Sequence, residues 1–166
     1  MLINDGIISA EELKCALPPE ERFKKGPVAI IECLQDIPCD PCVSACPVQA
    51  IQMREGITDK PVLDFEKCTG CGLCVPKCPG LAIFIVQKNV APGKAAVSMS
   101  YELLPVPEKD QMVTLLDRAG KNVGMGKVLR VLNPPKFDKT AVVTVEVPEE
   151  KVMDVRAFRV IAGGQS

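Results

Sequence analysis

The sequence predicts an α+β chain: a small cysteine-rich domain with a pseudo-two-fold internal repeat, followed by a small all-β domain. Three observations carry this. Eight of the nine cysteines fall into two matched runs before residue 79. The segments Cys46-Pro47-Val48-Gln49-Ala50-Ile51 and Cys78-Pro79-Gly80-Leu81-Ala82-Ile83 answer each other, as an internal repeat requires. Beyond residue 93 the cysteines stop, and short runs rich in Val, Ile and Leu alternate with Pro and Gly breaks.

Residues 1–26 read as a leader. Ser9-Ala10-Glu11-Glu12 is a capping box ahead of Leu13, so a short helix is expected over about residues 10–16, ending before Pro18-Pro19. Cys15 lies on it, outside both runs, and reads as a small apolar side chain.

Residues 27–90 read as the cysteine domain. Strands are expected at Pro27–Ile31, around Ile51–Met53, at Pro61–Phe65 and at Leu81–Val86, with a helical turn near Val43–Ala50. The stretch Lys88–Gly93 reads as a linker. Within 94–166, strands are expected at Val97–Leu104, Gln111–Leu116, Lys127–Leu132, Ala141–Val147 and Val152–Ile161. Five short strands in this length suggest a small sheet or barrel. Gly124-Met125-Gly126 is too short for a phosphate loop and reads as a turn or strand bulge.

Composition removes several function classes. Twenty basic against 21 acidic residues leave a formal charge of -1, and the longest basic run is Lys24-Lys25, so no nucleic-acid footprint is present. No stretch reaches the roughly 18 continuous apolar residues of a transmembrane span. The opening residues lack the pattern of a signal peptide, which makes cytoplasmic location the expectation. The absence of histidine removes haem ligation by His, His-containing zinc sites and His-based acid–base catalysis. No catalytic residue is assigned, and the chain reads as a non-catalytic partner in an enzyme.

The chemistry lies in the cysteine spacing. The first run is Cys33-x5-Cys39-x2-Cys42-x3-Cys46-Pro47, and the second is Cys68-x2-Cys71-x2-Cys74-x3-Cys78-Pro79. Disulfides fit poorly, because the count is odd and the spacings are those of metal ligands. A structural zinc site would pair two C-x2-C units across a longer gap. The second run matches the C-x2-C-x2-C-x3-C-P signature of [4Fe–4S] ligation, in which the cysteine before proline serves the other cluster. Two [4Fe–4S] clusters are therefore expected. Cluster I would take Cys33, Cys39, Cys42 and Cys78, and cluster II would take Cys68, Cys71, Cys74 and Cys46. Gly70 and Gly72 would leave backbone amides free to approach cluster II.

Over about residues 27–90 the chain resembles the bacterial-type two-[4Fe–4S] ferredoxin family. The resemblance implies a ferredoxin-like dicluster fold and electron transfer between the clusters. It departs at Cys33, where five residues stand in place of two. More loosely, Gly26–Cys33 and Pro41–Pro47 resemble electron-transfer subunits of anaerobic flavin dehydrogenases. That implies an iron–sulfur subunit relaying electrons between a flavin-containing dehydrogenase subunit and another acceptor, with residues 94–166 as a docking module. Weak charge favours a fixed subunit over a diffusing shuttle: residues 27–90 carry net -2 and residues 94–166 net +2. Two other readings stand beside it, a free-standing ferredoxin with an extension, and a structural or assembly protein whose clusters hold the fold.

Overall fold

The computed structural model describes residues 2–161. Residues 162–166 of the expected β domain, and Met1 of the leader, lie outside the described residues. The architecture is mixed α and β with a large antiparallel sheet. The chain divides into two compact units, Met1–Val86 and Gln87–Ser166.

The first unit opens with three short helices, α1 (Leu2–Asp5), α2 (Ala10–Leu13) and α3 (Glu20–Phe23). Ser9 caps α2 as its sequence demands. Its hydroxyl accepts from the Glu12 amide at 3.3 Å, and the Glu12 carboxylate accepts from the Ser9 amide at 2.9 Å. The helix tightens into a 3-10 turn over Lys14–Ala16 before Pro18 forces the chain out. Strand β1 (Val28–Ile31) follows, buried at all four residues. Then come α4 (Pro41–Ala45), with Pro41 in its first turn, and the two-residue strands β2 (Ile51–Gln52) and β3 (Val62–Leu63). The helical turn thus starts two residues earlier than expected, because Pro41 is pre-set for a first helical turn and lacks the N–H it would otherwise leave unused there.

Strand β4 (Ile83–Ala91) pairs antiparallel with β1, from Ile83 opposite Ile31 to Val86 opposite Val28. β2 pairs with β3. The apolar centre of this unit is Val28, Ile30, Ile51, Val75, Ile83 and Val86, each 1% exposed or less. A clear two-fold repeat of a compact dicluster fold is not shown. The β1–β4 ladder is four residues long and β2–β3 only two, and α4 is matched in the second run by a single 3-10 turn over Val75–Lys77.

The second unit is strand-built. β4 does not stop at Val86: it runs through Lys88–Ala91, the stretch read as a linker, and turns at Pro92-Gly93 into β5 (Lys94–Tyr101). Gly93 has φ +68, which suits a tight turn. β6 (Met112–Leu116), β7 (Asn122–Leu132), β8 (Ala141–Pro148) and β9 (Ala157–Val160) complete the sheet, in the order β5-β8-β7-β6-β9, all antiparallel. Alternation decides the faces. In β8, Ala141, Val143, Val145 and Val147 are fully buried while Thr144 and Glu146 are only half-buried.

Three expected strands changed. The expected Val97–Leu104 starts at Lys94 and ends at Tyr101. β7 begins at Asn122 and carries Gly124 and Gly126 inside it, with a register shift opposite Leu115–Leu116. Gly126 is required there, since a Cβ would collide with the Glu146 carbonyl oxygen. Val152–Arg156 is not strand: a 3-10 turn at Glu149–Lys151 follows Pro148, and β9 starts only at Ala157. The sheet curls enough for Tyr101 of β5 to stack on Phe158 of β9, with ring centroids 4.7 Å apart and planes at 12°.

Candidate functional site

The eight cysteines of the two runs all lie in the first unit between its short strands, Cys42 on α4 and the others on loops and turns. None of the nine cysteines forms a disulfide. Cys42 and Cys74 are buried, Cys71 is exposed, and Cys33, Cys39, Cys46, Cys68 and Cys78 are half-buried. Cys15 is exposed at the end of the leader helix, so the expectation of a buried apolar role for it does not hold.

The two runs close on each other. Each ends in the same turn. Cys46 and Cys78 adopt extended backbone after a helical turn, and Pro follows. Three residues on, Gln49 (φ 53) and Leu81 (φ 52) take the left-handed conformation. Their amides donate to the Cys46 and Cys78 carbonyls, both at 3.1 Å. One residue further, the Ala50 amide donates to Cys46 Sγ at 3.2 Å and the Ala82 amide to Cys78 Sγ at 3.4 Å. The sequence echo Cys-Pro-x-x-Ala is therefore a conformational echo, confined to these turns. A third sulfur is held by a more distant amide, from Ala29 to Cys68 Sγ at 3.5 Å.

Electrostatics group the thiols. Burial pushes the Cys42 thiol up to about 11, and repulsion from Cys78, Cys33 and Cys39 adds to it. Burial also raises Cys33, with Cys78 and Cys39 contributing. In the second group burial pushes Cys74 up to about 12, with Cys68, Cys71 and Cys46 adding repulsion. Cys78 thus stands with the first run and Cys46 with the second. Cys46, Cys68, Cys71 and Cys74 line one apolar cavity, together with Ala29, Ile51, Leu63 and Ile85.

The expectation of two [4Fe–4S] clusters is corrected here. Among the described residues, no group of three or more His, Cys, Asp or Glu side chains is placed to hold a metal ion. The thiols of the second group line the wall of a cavity, and Cys46, Cys68 and Cys78 each accept a backbone amide. The identification as an iron–sulfur electron-transfer subunit with eight cluster ligands therefore does not stand.

A family model for the 4Fe–4S dicluster domain matches residues 37–82, part of the first unit. That match lies inside residues 27–90, where the resemblance was placed, and leaves Cys33 outside it. An uncharacterized ferredoxin of Methanocaldococcus jannaschii is 43% identical over 71 residues, 42% of this chain and 43% of that protein. An F420H2 dehydrogenase subunit of Methanosarcina mazei is 38% identical over 60 residues, 36% of this chain and 34% of the relative. A tetrathionate reductase subunit of Salmonella typhimurium is 52% identical over 50 residues, 28% of this chain and 19% of the relative. The chain spans less than half the length of these relatives. No solved structure is a significant match.

Sequence reasoning missed Arg22. It is buried, and its guanidinium donates to the Gly26, Pro27, Phe65 and Cys68 carbonyl oxygens, the last belonging to the second cysteine group. A signal was present: an arginine between the apolar Phe23 and two prolines, just ahead of a strand, is a candidate for burial by its neighbours. Among the described residues, no helix is long and apolar enough to cross a membrane.

Proposed function

We propose that this chain is an electron-transfer subunit of a multisubunit oxidoreductase. Its working residues are two four-cysteine sites: Cys33, Cys39, Cys42 and Cys78, and Cys46, Cys68, Cys71 and Cys74. The observation that carries the reading is the grouping of the thiols, four by four, across two runs 21 residues apart. The likeness of this cysteine-bearing part to subunits of a dehydrogenase and a reductase supports it. In each of those names the matching chain is one subunit of a larger enzyme.

The domain plan proposed is a leader at 1–26, the cysteine domain at 27–90 and a β-rich docking domain at 94–166. The partner is a flavin-containing dehydrogenase subunit. Leu103 and Leu104, 68% and 87% exposed between β5 and β6, are the most exposed large apolar groups of the docking domain among the described residues. Nine cysteines without a disulfide suit a reducing compartment, and the proposed location is the cytoplasm.

Affinity purification of the tagged full-length chain from its native host, without oxygen, tests the reading. Co-elution with a larger, flavin-containing subunit is the expected result. A chain recovered only as a monomer, and inert to reductant, would sink it.

A further inference from the structure

The N-terminal segment over residues 22–29 packs on the loop that carries Cys68. Arg22, on α3, is 5% exposed. Its Nε donates to the Phe65 carbonyl at 2.6 Å, and its Nη1 to the Gly26 carbonyl at 3.2 Å. Nη2 donates to the Pro27 carbonyl at 3.0 Å and to the Cys68 carbonyl at 2.6 Å. One planar fork thus joins two chain segments, 26–27 and 65–68. A lysine ammonium on a flexible stem does not present this geometry.

Three independent contacts tie the same two segments. The Lys25 ammonium pairs with the Glu66 carboxylate at 2.5 Å. The Ala29 amide donates to Cys68 Sγ. Gly70 (φ +67) approaches so closely that a Cβ on it would collide with the Pro27 carbonyl oxygen. The first cysteine group is held differently: the Cys39 amide donates to the Ile57 carbonyl at 3.1 Å, and the exposed Lys60–Asp36 pair spans 3.5 Å.

We infer that Arg22 is the positioning residue of the second cysteine group: through the Cys68 carbonyl it locks the 65–70 loop onto the N-terminal segment. The shape of the Cys46–Cys68–Cys71–Cys74 site is then set by a residue outside both cysteine runs. Arg22 touches no thiol in the described bonds and acts only through backbone. Its four bonds go to carbonyl oxygens, so the bonds themselves do not neutralise its charge. The carbonyls in turn gain charge-assisted bonds, which are stronger than neutral ones. The inference rests on reading the two cysteine groups as the chain's working sites.

The test compares the two groups within one molecule. The full chain is exposed to iodoacetamide without oxygen, and labelling at each cysteine is followed by peptide mass spectrometry. Arg22→Met should raise the labelling rates of Cys68 and Cys74 about tenfold, the scale of one or two lost charge-assisted bonds. Cys33 and Cys42 should stay within about twofold of the parent, because their own bonds are untouched. Arg22→Lys should recover only part of the protection. Gly70→Ala keeps every Arg22 donor yet forces the loop off Pro27, and should give the same selective rise. An equal rise in both groups would show only loss of folding and overturn the inference. So would unchanged labelling of Cys68 and Cys74 in both the Arg22→Met and Gly70→Ala chains. The readout requires no partner, so failure of the subunit assignment leaves it interpretable.

Discussion

The two units use the same apolar residue types to different ends. The second is held by long ladders: β5 pairs with β8 over eight residues, from Lys94 opposite Pro148 to Tyr101 opposite Ala141. The first has ladders of four and two residues, and its remaining order comes from point contacts. These are the Arg22 fork, amide-to-sulfur bonds and two left-handed turns. The difference shows how a small unit presents eight cysteines. Regular strands send side chains alternately to two faces. Loops can turn many side chains toward one place, but each must be fixed singly.

The largest effect should come from breaking the ladder-built unit at its centre. Leu115 is fully buried and packs against Gly126. Leu115→Ala should cost about 2–5 kcal/mol in denaturant unfolding followed by far-ultraviolet circular dichroism. A cost under about 1 kcal/mol would mean that the sheet collapses readily around the cavity, contrary to the close contact at Gly126.

Alkaline pH should strike the cysteine unit first. The folded pKa values of Cys42 and Cys74 stand at about 11 and about 12, above the ordinary thiol value of 9.0. Both thiols stay neutral in the folded state, so below about pH 9 they cost nothing, and ionisation of the unfolded chain above that pH favours unfolding. Stability is lost between about pH 9 and pH 12, as the unfolded state releases protons that the folded state keeps. Stability measured against pH should fall through this window. Replacing Cys42 and Cys74 together by Ala should flatten the fall. An unchanged slope would show that other groups carry it.

Smaller effects sharpen the comparison at single turns. Ser9→Ala removes one half of the capping box and should cost about 1 kcal/mol. Leu81→Gly should stabilise by about 0.5 kcal/mol. Relief of the left-handed backbone at φ 52, worth roughly 1–2 kcal/mol, outweighs the added freedom of the unfolded glycine. Chemical denaturation resolves both, and a destabilised Leu81→Gly chain would show that the side chain itself is needed there. Leu103→Ser with Leu104→Ser should change stability by less than about 0.5 kcal/mol, since both are exposed. The same pair should abolish co-purification with the redox partner. Retained association would move docking elsewhere on the chain.

The correction on metal binding has its own measurement. Iron and acid-labile sulfide assayed on the anaerobically prepared full chain uphold it if both are below about one per chain. About eight of each, the content of two four-iron clusters, would overturn it.

Local chemistry was legible from the residues alone. The capping box at Ser9–Glu12, the strand at Val28–Ile31 and the alternation of Ala141–Val147 follow from short-range patterns. The shared Cys-Pro ending of the two runs suggested a repeat, of which the structure keeps the left-handed turns at Gln49 and Leu81. Tertiary structure decided the rest. Lys88–Ala91 became strand because β5 lies beside it, although Asn89 at φ 57 gave the local sequence no strand signal. Val152–Arg156 left the strand menu because a turn follows Pro148, and the Arg156 amide donates to Leu116 outside any regular ladder. Spacing could say that thiols would gather, but not where the backbone of other segments would place each of them. Ligand spacing constrains how far a chain can reach, whereas convergence depends on backbone from other segments. Arg22, 46 residues before Cys68 in sequence and one hydrogen bond from it in space, belongs to that second kind of information.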